Sequence, residues 1–305
     1  MDQQEKQGQL AGELTGQQPE TPADNKKKKE KRPLGLEILS WILTILVAVA
    51  AALVIRTVIF EPVRVDGASM NDTLADGEIM FVTKFDYSST WLSFPWQSDE
   101  VKEQAPRFTL GGNPNRFDVV ICRYPGRGDL NFVKRVIGLP GDTLELNNGI
   151  LFVNDEQYAE SYVSDDYRTG SLNTFDAFTV PGKGDTLTIR ETENGYALFL
   201  NDKEWNFRGM RNGITVKDAD GKAMEVTGNG GITYDGTTVT SANAEEMLAD
   251  LAKKTFTVQE DYFFVMGDHR NNSNDSRSQG PITRDMIVGH VRTVLFPFNK
   301  IRGVQ

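Results

Sequence analysis

Cysteine and histidine are almost absent from this chain. Its 305 residues include one Cys, Cys122, and two His, His269 and His290. A single thiol excludes an intrachain disulfide and a Cys-based zinc cluster. Two imidazoles exclude a His-rich metal site and leave two candidate bases for a Ser-His-Asp triad. Positive charge is also short. The 33 Lys and Arg stand against 43 Asp and Glu, a formal net charge of −10. That argues against a nucleic-acid partner, because phosphate contacts need clustered cations. The remaining composition, 39% hydrophobic and 25% charged, is globular. The length suits one or two folded domains.

One long apolar run is present. Ile38 to Ile55 carries no charge over 18 residues and is closed by Arg56. It is close to the ~20 residues that a membrane span requires. It is apolar on every face, which a helix lying on a soluble core is not. It begins too far into the chain, and runs too long, for a cleaved leader's apolar region. Lys26, Lys27, Lys28, Lys29, Lys31 and Arg32 precede it, whereas after Arg56 there are 25 Lys and Arg against 36 Asp and Glu. By the positive-inside rule the N-terminus is cytoplasmic and the body lies outside. Residues 1–36 read as a disordered cytoplasmic tail ending in the basic block, and 37–58 as the anchor. The block can also hold anionic lipid headgroups.

The body reads as mostly β. Short β-rich runs recur at Val63–Val65, Ile79–Thr83, Asp118–Tyr124, Asn131–Ile137, Thr143–Leu146, Ile150–Val153, Thr186–Arg190, Tyr196–Leu200, Phe263–Met266 and Val288–Leu295. Pairs such as Asp76-Gly77, Pro125-Gly126, Pro140-Gly141, Asn148-Gly149, Asn201-Asp202 and Asp235-Gly236 break them as turns. Only Ala242–Lys253 has helical spacing of apolar residues. Cys122 reads as a small buried apolar residue. Trp91, Phe94, Pro95 and Trp96 suit either packing in the body or a membrane interface.

Three segments carry candidate chemistry: Asp66 to Leu74 around Ser69, Val133 to Asp142 around Lys134, and Gly267 to Arg277. A serine after small residues can be an exposed nucleophile, although most such serines are turns. Lys134 and Arg135 lie within an apolar run and must point to opposite faces of a strand, so one of them is expected to point inward. A buried lysine loses its charge and can serve as a base. The last segment is too polar for a core and reads as a hydrogen-bonded turn, with Asp268 and Asp275 available to Arg270 and Arg277.

In this order, behind this anchor, the segments resemble the hallmark boxes of the bacterial type I signal peptidases. The matching runs are Ser-Met-x-x-Thr-Leu at 69–74, Lys-Arg-Val-Ile-Gly-Leu-Pro-Gly-Asp at 134–142 and Gly-Asp-x-Arg-x-Asn-Ser-x-Asp-Ser-Arg at 267–277, with Phe117-Asp118-Val119-Val120 between. The resemblance implies a signal-peptidase-like β fold with one N-terminal transmembrane helix. The catalytic β domain would be 59–155 with 255–305, and 156–254 an inserted accessory β-rich region. It implies a membrane-anchored serine endopeptidase that removes signal peptides from exported preproteins, without metal or cofactor. Ser69 would be the nucleophile, Lys134 the general base, and Ser273 would hydrogen-bond and orient the lysine amine. Gly67, Ala68, Met70, Phe132 and Val133 would form the oxyanion and substrate-binding surface. Arg135, Asp268, Asp275 and Arg277 would support it, the last two as an ion pair.

Two departures stand out. Asp72 occupies a position where the family usually has proline, and His269 one where it usually has asparagine. With Gly67 two residues before Ser69, no side chain there can donate to an oxyanion. Two rival readings remain: a self-cleaving Ser/Lys regulator of the LexA type, and a non-catalytic anchored β domain that binds peptides or wall material. The span and the absence of a DNA-binding motif argue against the first. The presence of Ser69, Lys134 and Ser273 together argues against the second.

Overall fold

The computed structural model describes residues 33–55, 59–91, 107–124, 127, 130–205, 210–228 and 230–304. The tail and basic block up to Arg32, Arg56, the residues Phe94, Pro95 and Trp96, and the Pro125-Gly126 turn lie outside these. The chain divides into two compact units, Met1–Ala48 and Val49–Gln305. The first long element is the helix Leu34–Val54, 21 residues with none buried within the chain. At 1.5 Å per residue it is about 32 Å long, enough to cross a hydrocarbon core of ~30 Å. Its two hydroxyls are satisfied internally: that of Ser40 donates to the Glu37 carbonyl and that of Thr44 to the Ser40 carbonyl. Unpaired hydroxyls are costly in lipid.

The described residues of the body form antiparallel strands in three sheets and one separate hairpin. The first sheet runs in the order Phe60–Arg64, Ile79–Thr83, Ile287–Phe296, Val119–Cys122, Phe132–Gly138, Tyr262–Met266, Ile282–Thr283, with Arg302–Gly303 against Ile287–Phe296. The second has the order Phe175–Thr179, Thr143–Asn147, Ile150–Val153, Glu156–Tyr158. The third runs from Lys203–Glu204 through Gly195–Leu200, Thr186–Thr192, Thr255–Val258, Ile214–Lys217, Ala223–Val226 and Ile232–Tyr234 to Thr237–Thr238. The hairpin pairs Tyr87–Trp91 with Arg107–Gly111. A helix, Ala244–Leu251, sits inside the span expected for it.

The two-residue turns have a direct cause in the sequence. At Asn148-Gly149, Asn201-Asp202 and Asp235-Gly236 both residues have positive φ. That is the turn whose twist matches the flanking strands, and Asn, Asp and Gly tolerate it best. Asn154-Asp155 makes a fourth, with φ values of 53° and 67°.

Both faces of the first sheet are covered at its centre. Along Val119–Cys122 every residue is buried. Val119 and Ile121 pack with Val65, Met70, Leu74 and Met80. Val120 and Cys122 pack on the other face with Val136, Phe263 and Val265. This corrects the expectation that only one of Lys134 and Arg135 points inward. Lys134 is 2% exposed and Arg135 0%, because from Lys134 to Gly138 their strand is covered on both faces.

The core also crosses the boundary expected at residue 155. Ile137, Leu144, Leu151, Phe264 and Met266 share one apolar cluster with Phe178, Leu187, Ile189, Val216 and Phe256. Glu156–Tyr158 and Phe175–Thr179 complete the sheet begun by Thr143–Asn147. Thr255–Val258 pairs with Thr186–Thr192 and Ile214–Lys217, and so belongs to the third sheet.

Candidate active site

Ser69 lies in a turn just after the edge strand Phe60–Arg64. Gly67 begins it at φ 101°, its N–H held by the Asp76 carboxylate at 2.9 Å. The Asn71 N–H then donates to the Ala68 carbonyl, and the Thr73 and Leu74 N–H groups to that of Met70. Met70 and Leu74, one turn apart, anchor the segment in the core at 1% and 0% exposure. The Met70 side chain is therefore a support from below. This corrects its expected place on the substrate-binding surface. Gly67 is exposed, while Ala68, Phe132 and Val133 are half-buried around the site.

Lys134 comes from the strand Phe132–Gly138, directly opposite Val120. Its Nζ lies 2.9 Å from Ser69 Oγ and 2.7 Å from the Val133 carbonyl. Phe132 places its ring 5.8 Å from the amine. An ammonium has three donors and a neutral amine two donors and a lone pair. With one carbonyl to donate to and a hydroxyl facing it, this environment suits the neutral form. Burial pushes the lysine below its ordinary value, and the nearby Asp275 and Asp268 only partly oppose this. Burial pushes the Cys122 thiol, on the same face, up to about 12, so it offers the amine no counter-charge at neutral pH.

The carboxylates are committed to arginines. Asp268 takes two hydrogen bonds from Arg135, at 2.9 and 2.7 Å, and one from the Thr73 hydroxyl. Asp275 takes two from the Arg277 guanidinium, each 2.8 Å, one from the Arg277 N–H at 3.2 Å and one from the Gly267 N–H at 3.0 Å. Burial alone would raise Asp275. The Arg277 charge and hydrogen bonds outweigh it and hold the carboxyl below its usual range.

Ser273 does not make the contact expected of it. Its Oγ is buried, with no well-formed hydrogen bond among the described residues. The lysine amine is turned instead toward Val133 and Ser69. Ser273 packs beneath Gly267, where any Cβ would collide with Ser273 Oγ and with the Ser69 carbonyl oxygen.

The sequence pattern of the family described as signal peptidase, peptidase S26, matches residues 38–296. The chain belongs to this family. It is 28% identical over 278 residues to signal peptidase I P of Bacillus subtilis subsp. natto, covering 91% of this chain and 98% of that protein. It is 27% identical to a signal peptidase I of Pseudomonas aeruginosa, over 86% of this chain and 69% of that one. The crystal structure of a signal peptidase I from Enterococcus faecalis V583 aligns at 20% identity with a TM-score of 0.28, over 59% of this chain and 97% of its own. That score carries no argument about shape.

Reading the motifs alone misses four residues that pack around the site, all between the second and third boxes. Glu160 pairs with Arg270. Asn173 accepts from Arg277 at 3.0 Å. Tyr162 lies under Arg135, 3.9 Å from guanidinium carbon to ring centroid. Tyr167 stacks on His269 at 3.8 Å. Their partners are remote in the chain, and no local pattern marks them. His290 is structural: its Nδ1 faces Asp86 at 3.2 Å and its ring stacks on Tyr87 at 5.0 Å.

Proposed function

We propose that Ser69 and Lys134 carry out the reaction for which the family is named, hydrolysis of the bond joining a signal peptide to an exported preprotein. Ser69 Oγ attacks the scissile carbonyl while Lys134 Nζ takes its proton. The resulting ammonium protonates the departing amine. Lys134, neutral again, deprotonates the water that hydrolyses the acyl-enzyme. The Ser69 N–H stabilises the oxyanion. The 2.9 Å approach of a buried, carboxylate-free amine to Ser69 Oγ is the observation that carries this reading. Arg135 with Asp268 holds the second box against the last, Arg277 with Asp275 fixes the last box internally, and 156–254 is an inserted region that packs around them and shares their core.

The substrate would bind as an added strand. Among the described residues, Phe60–Arg64 has a partner on one side only, Ile79–Thr83. Phe132 and Val133 pair with Cys122 and Ile121, whereas Tyr262–Met266 begins its pairing only at Arg135. Both edges offer unpaired backbone near Ser69 to an extended peptide with small residues at the −1 and −3 positions. The helix Leu34–Val54 anchors the chain, with the N-terminus cytoplasmic, the body extracytoplasmic and the basic block near anionic lipid.

Cleavage of a synthetic signal-peptide substrate by wild type beside Ser69→Ala tests the site: the variant is expected to be folded and inactive, and normal cleavage by it would refute the assignment. Protease added to intact spheroplasts should digest the body and spare the tail; a protected body would reverse the orientation.

A further inference from the structure

His269 departs from the family's usual asparagine, and its position suggests a job. Its Nδ1 lies 3.0 Å from the Ala68 carbonyl oxygen. A carbonyl can only accept, so Nδ1 carries the proton, and Ala68 O then receives two donors, His269 Nδ1 and the Asn71 N–H at 3.1 Å. The peptide that contributes this carbonyl also contributes the Ser69 N–H. In a planar trans peptide the two groups point in opposite directions and turn together. Fixing the Ala68 carbonyl therefore fixes the direction of the Ser69 N–H, which makes no hydrogen bond of its own among the described residues.

The imidazole is itself held. Its ring stacks on Tyr167 at 3.8 Å with 21° between planes. Tyr167 belongs to the short turn Asp165–Tyr167, outside the three boxes. The Tyr167 carbonyl accepts from Asn173 Nδ2 at 3.2 Å. The next residue, Arg168, donates to the Gly149 and Glu160 carbonyls at 2.8 and 2.9 Å. The His269 N–H also donates to the Ser69 carbonyl at 3.1 Å, so backbone and side chain of one residue grip both peptides beside the nucleophile.

We propose that His269 is a positioning residue for the oxyanion: braced by Tyr167, its Nδ1–H holds the Ala68 carbonyl and so aims the Ser69 N–H at the charge that develops during attack. The inference rests on Ser69 being the nucleophile. It gives His269 no proton-transfer role. The neutral Nδ1–H tautomer and the imidazolium both donate to Ala68 O, so the contact survives either charge state.

The test compares His269→Ala, His269→Leu and His269→Asn in the full chain, on a signal-peptide substrate and on a peptide boronic acid whose Ser69 adduct is tetrahedral. Losing one oxyanion donor costs roughly 100- to 1000-fold, so misaiming one should lower kcat roughly tenfold. KM should hardly move, and boronate affinity should fall by a similar factor. His269→Asn, with an amide donor, should recover most of both, and the ascending limb of the pH profile should stay in place. His269→Leu keeps the bulk without the donor, so the test stands if the alanine variant fails to fold. Unchanged kcat in a folded His269→Leu, an effect on KM alone, or a shifted limb with His269→Asn inactive would each overturn the proposal. Ser69→Ala is run in parallel. Activity there sinks the site assignment itself, whereas an inactive Ser69→Ala beside a fully active His269→Leu sinks only the role of His269.

Discussion

Glu160 and Arg270 form an ion pair closed off from water, at 0% and 1% side-chain exposure. One residue lies between the boxes and the other within the last of them. Arg270 Nε also donates to the Gly267 carbonyl, and the Arg270 carbonyl accepts from Arg277, so the pair props the loop that carries Ser273 and Asp275. Breaking a buried pair strands a charge, at a cost of about 3–5 kcal/mol. Glu160→Gln is expected to lose stability on that scale by urea unfolding. A Glu160→Leu/Arg270→Met double variant should recover part of it, since neither charge is left alone. Additive losses would mean that the two side chains are not coupled.

The same logic bears on residues 156–254 as a whole. Replacing them with a Gly/Ser linker removes Glu160, Tyr162 and Asn173 from under the boxes. It also uncovers Ile137, Phe264 and Met266, whose cluster includes Phe178 and Leu187. Trp205 adds its indole, which donates to the Thr179 carbonyl at 2.8 Å. The shortened chain is expected to lose cooperative unfolding and peptide cleavage together, followed by circular dichroism and substrate turnover. A folded, active product would show that the shared core is dispensable.

The motifs and turns were legible because their causes are local. Asn148-Gly149 announces its own turn, and Val119 to Cys122 reads as apolar on both faces. The anchor helix was visible for the same reason, although it starts at Leu34 rather than near 37. A strand such as Thr255–Val258 is not legible, because a short Thr-rich run acquires its pairing only from strands distant in sequence, here Thr186–Thr192 and Ile214–Lys217. Glu156–Tyr158 pairs locally across Asn154-Asp155, but its Glu-Gln-Tyr run carries no β signal of its own. Glu160 could not be assigned, since its meaning lies in a partner 110 residues away. The reach of Ser273 is not legible either, because a motif names a residue type and not where its hydroxyl points.

Asp72 offers a test of backbone fit. Its φ is 79°, a left-handed value that the proline usual in the family cannot adopt, since its ring holds φ near about −65°. Asp72→Pro is therefore expected to destabilise by more than ~1 kcal/mol and to lower kcat, because the displaced turn contains Ser69. Asp72→Gly should stabilise by up to about 1 kcal/mol with activity kept. Thermal melting and turnover of both variants check this. A proline variant as stable and active as wild type would mean that the turn adopts another conformation.

Lys134 links catalysis to stability through one proton. In the unfolded chain its amine titrates near ~10.4. In the native protein burial lowers that value, and the partly opposing charges on Asp275 and Asp268 are shared with arginines. Between the two pKa values the unfolded chain binds a proton that the native protein does not. Stability must therefore rise with pH across that window, and fall as pH drops through the native pKa. Lys134→Met removes the titrating group while keeping the apolar stem. The variant is expected to be inactive yet more stable than wild type near pH 7, with an advantage that shrinks toward about pH 10. Lys134→Arg should also be inactive, because a guanidinium stays protonated and cannot take the Ser69 proton. In the wild type, kcat/KM should climb along a limb well below 10.4, following the same deprotonation. Urea unfolding of wild type and Lys134→Met across this pH range, set beside the kinetic profile, reads the native pKa twice. Agreement of the two midpoints is the expected result. A stability difference that does not change with pH would mean that Lys134 is charged in the folded protein and cannot be the base.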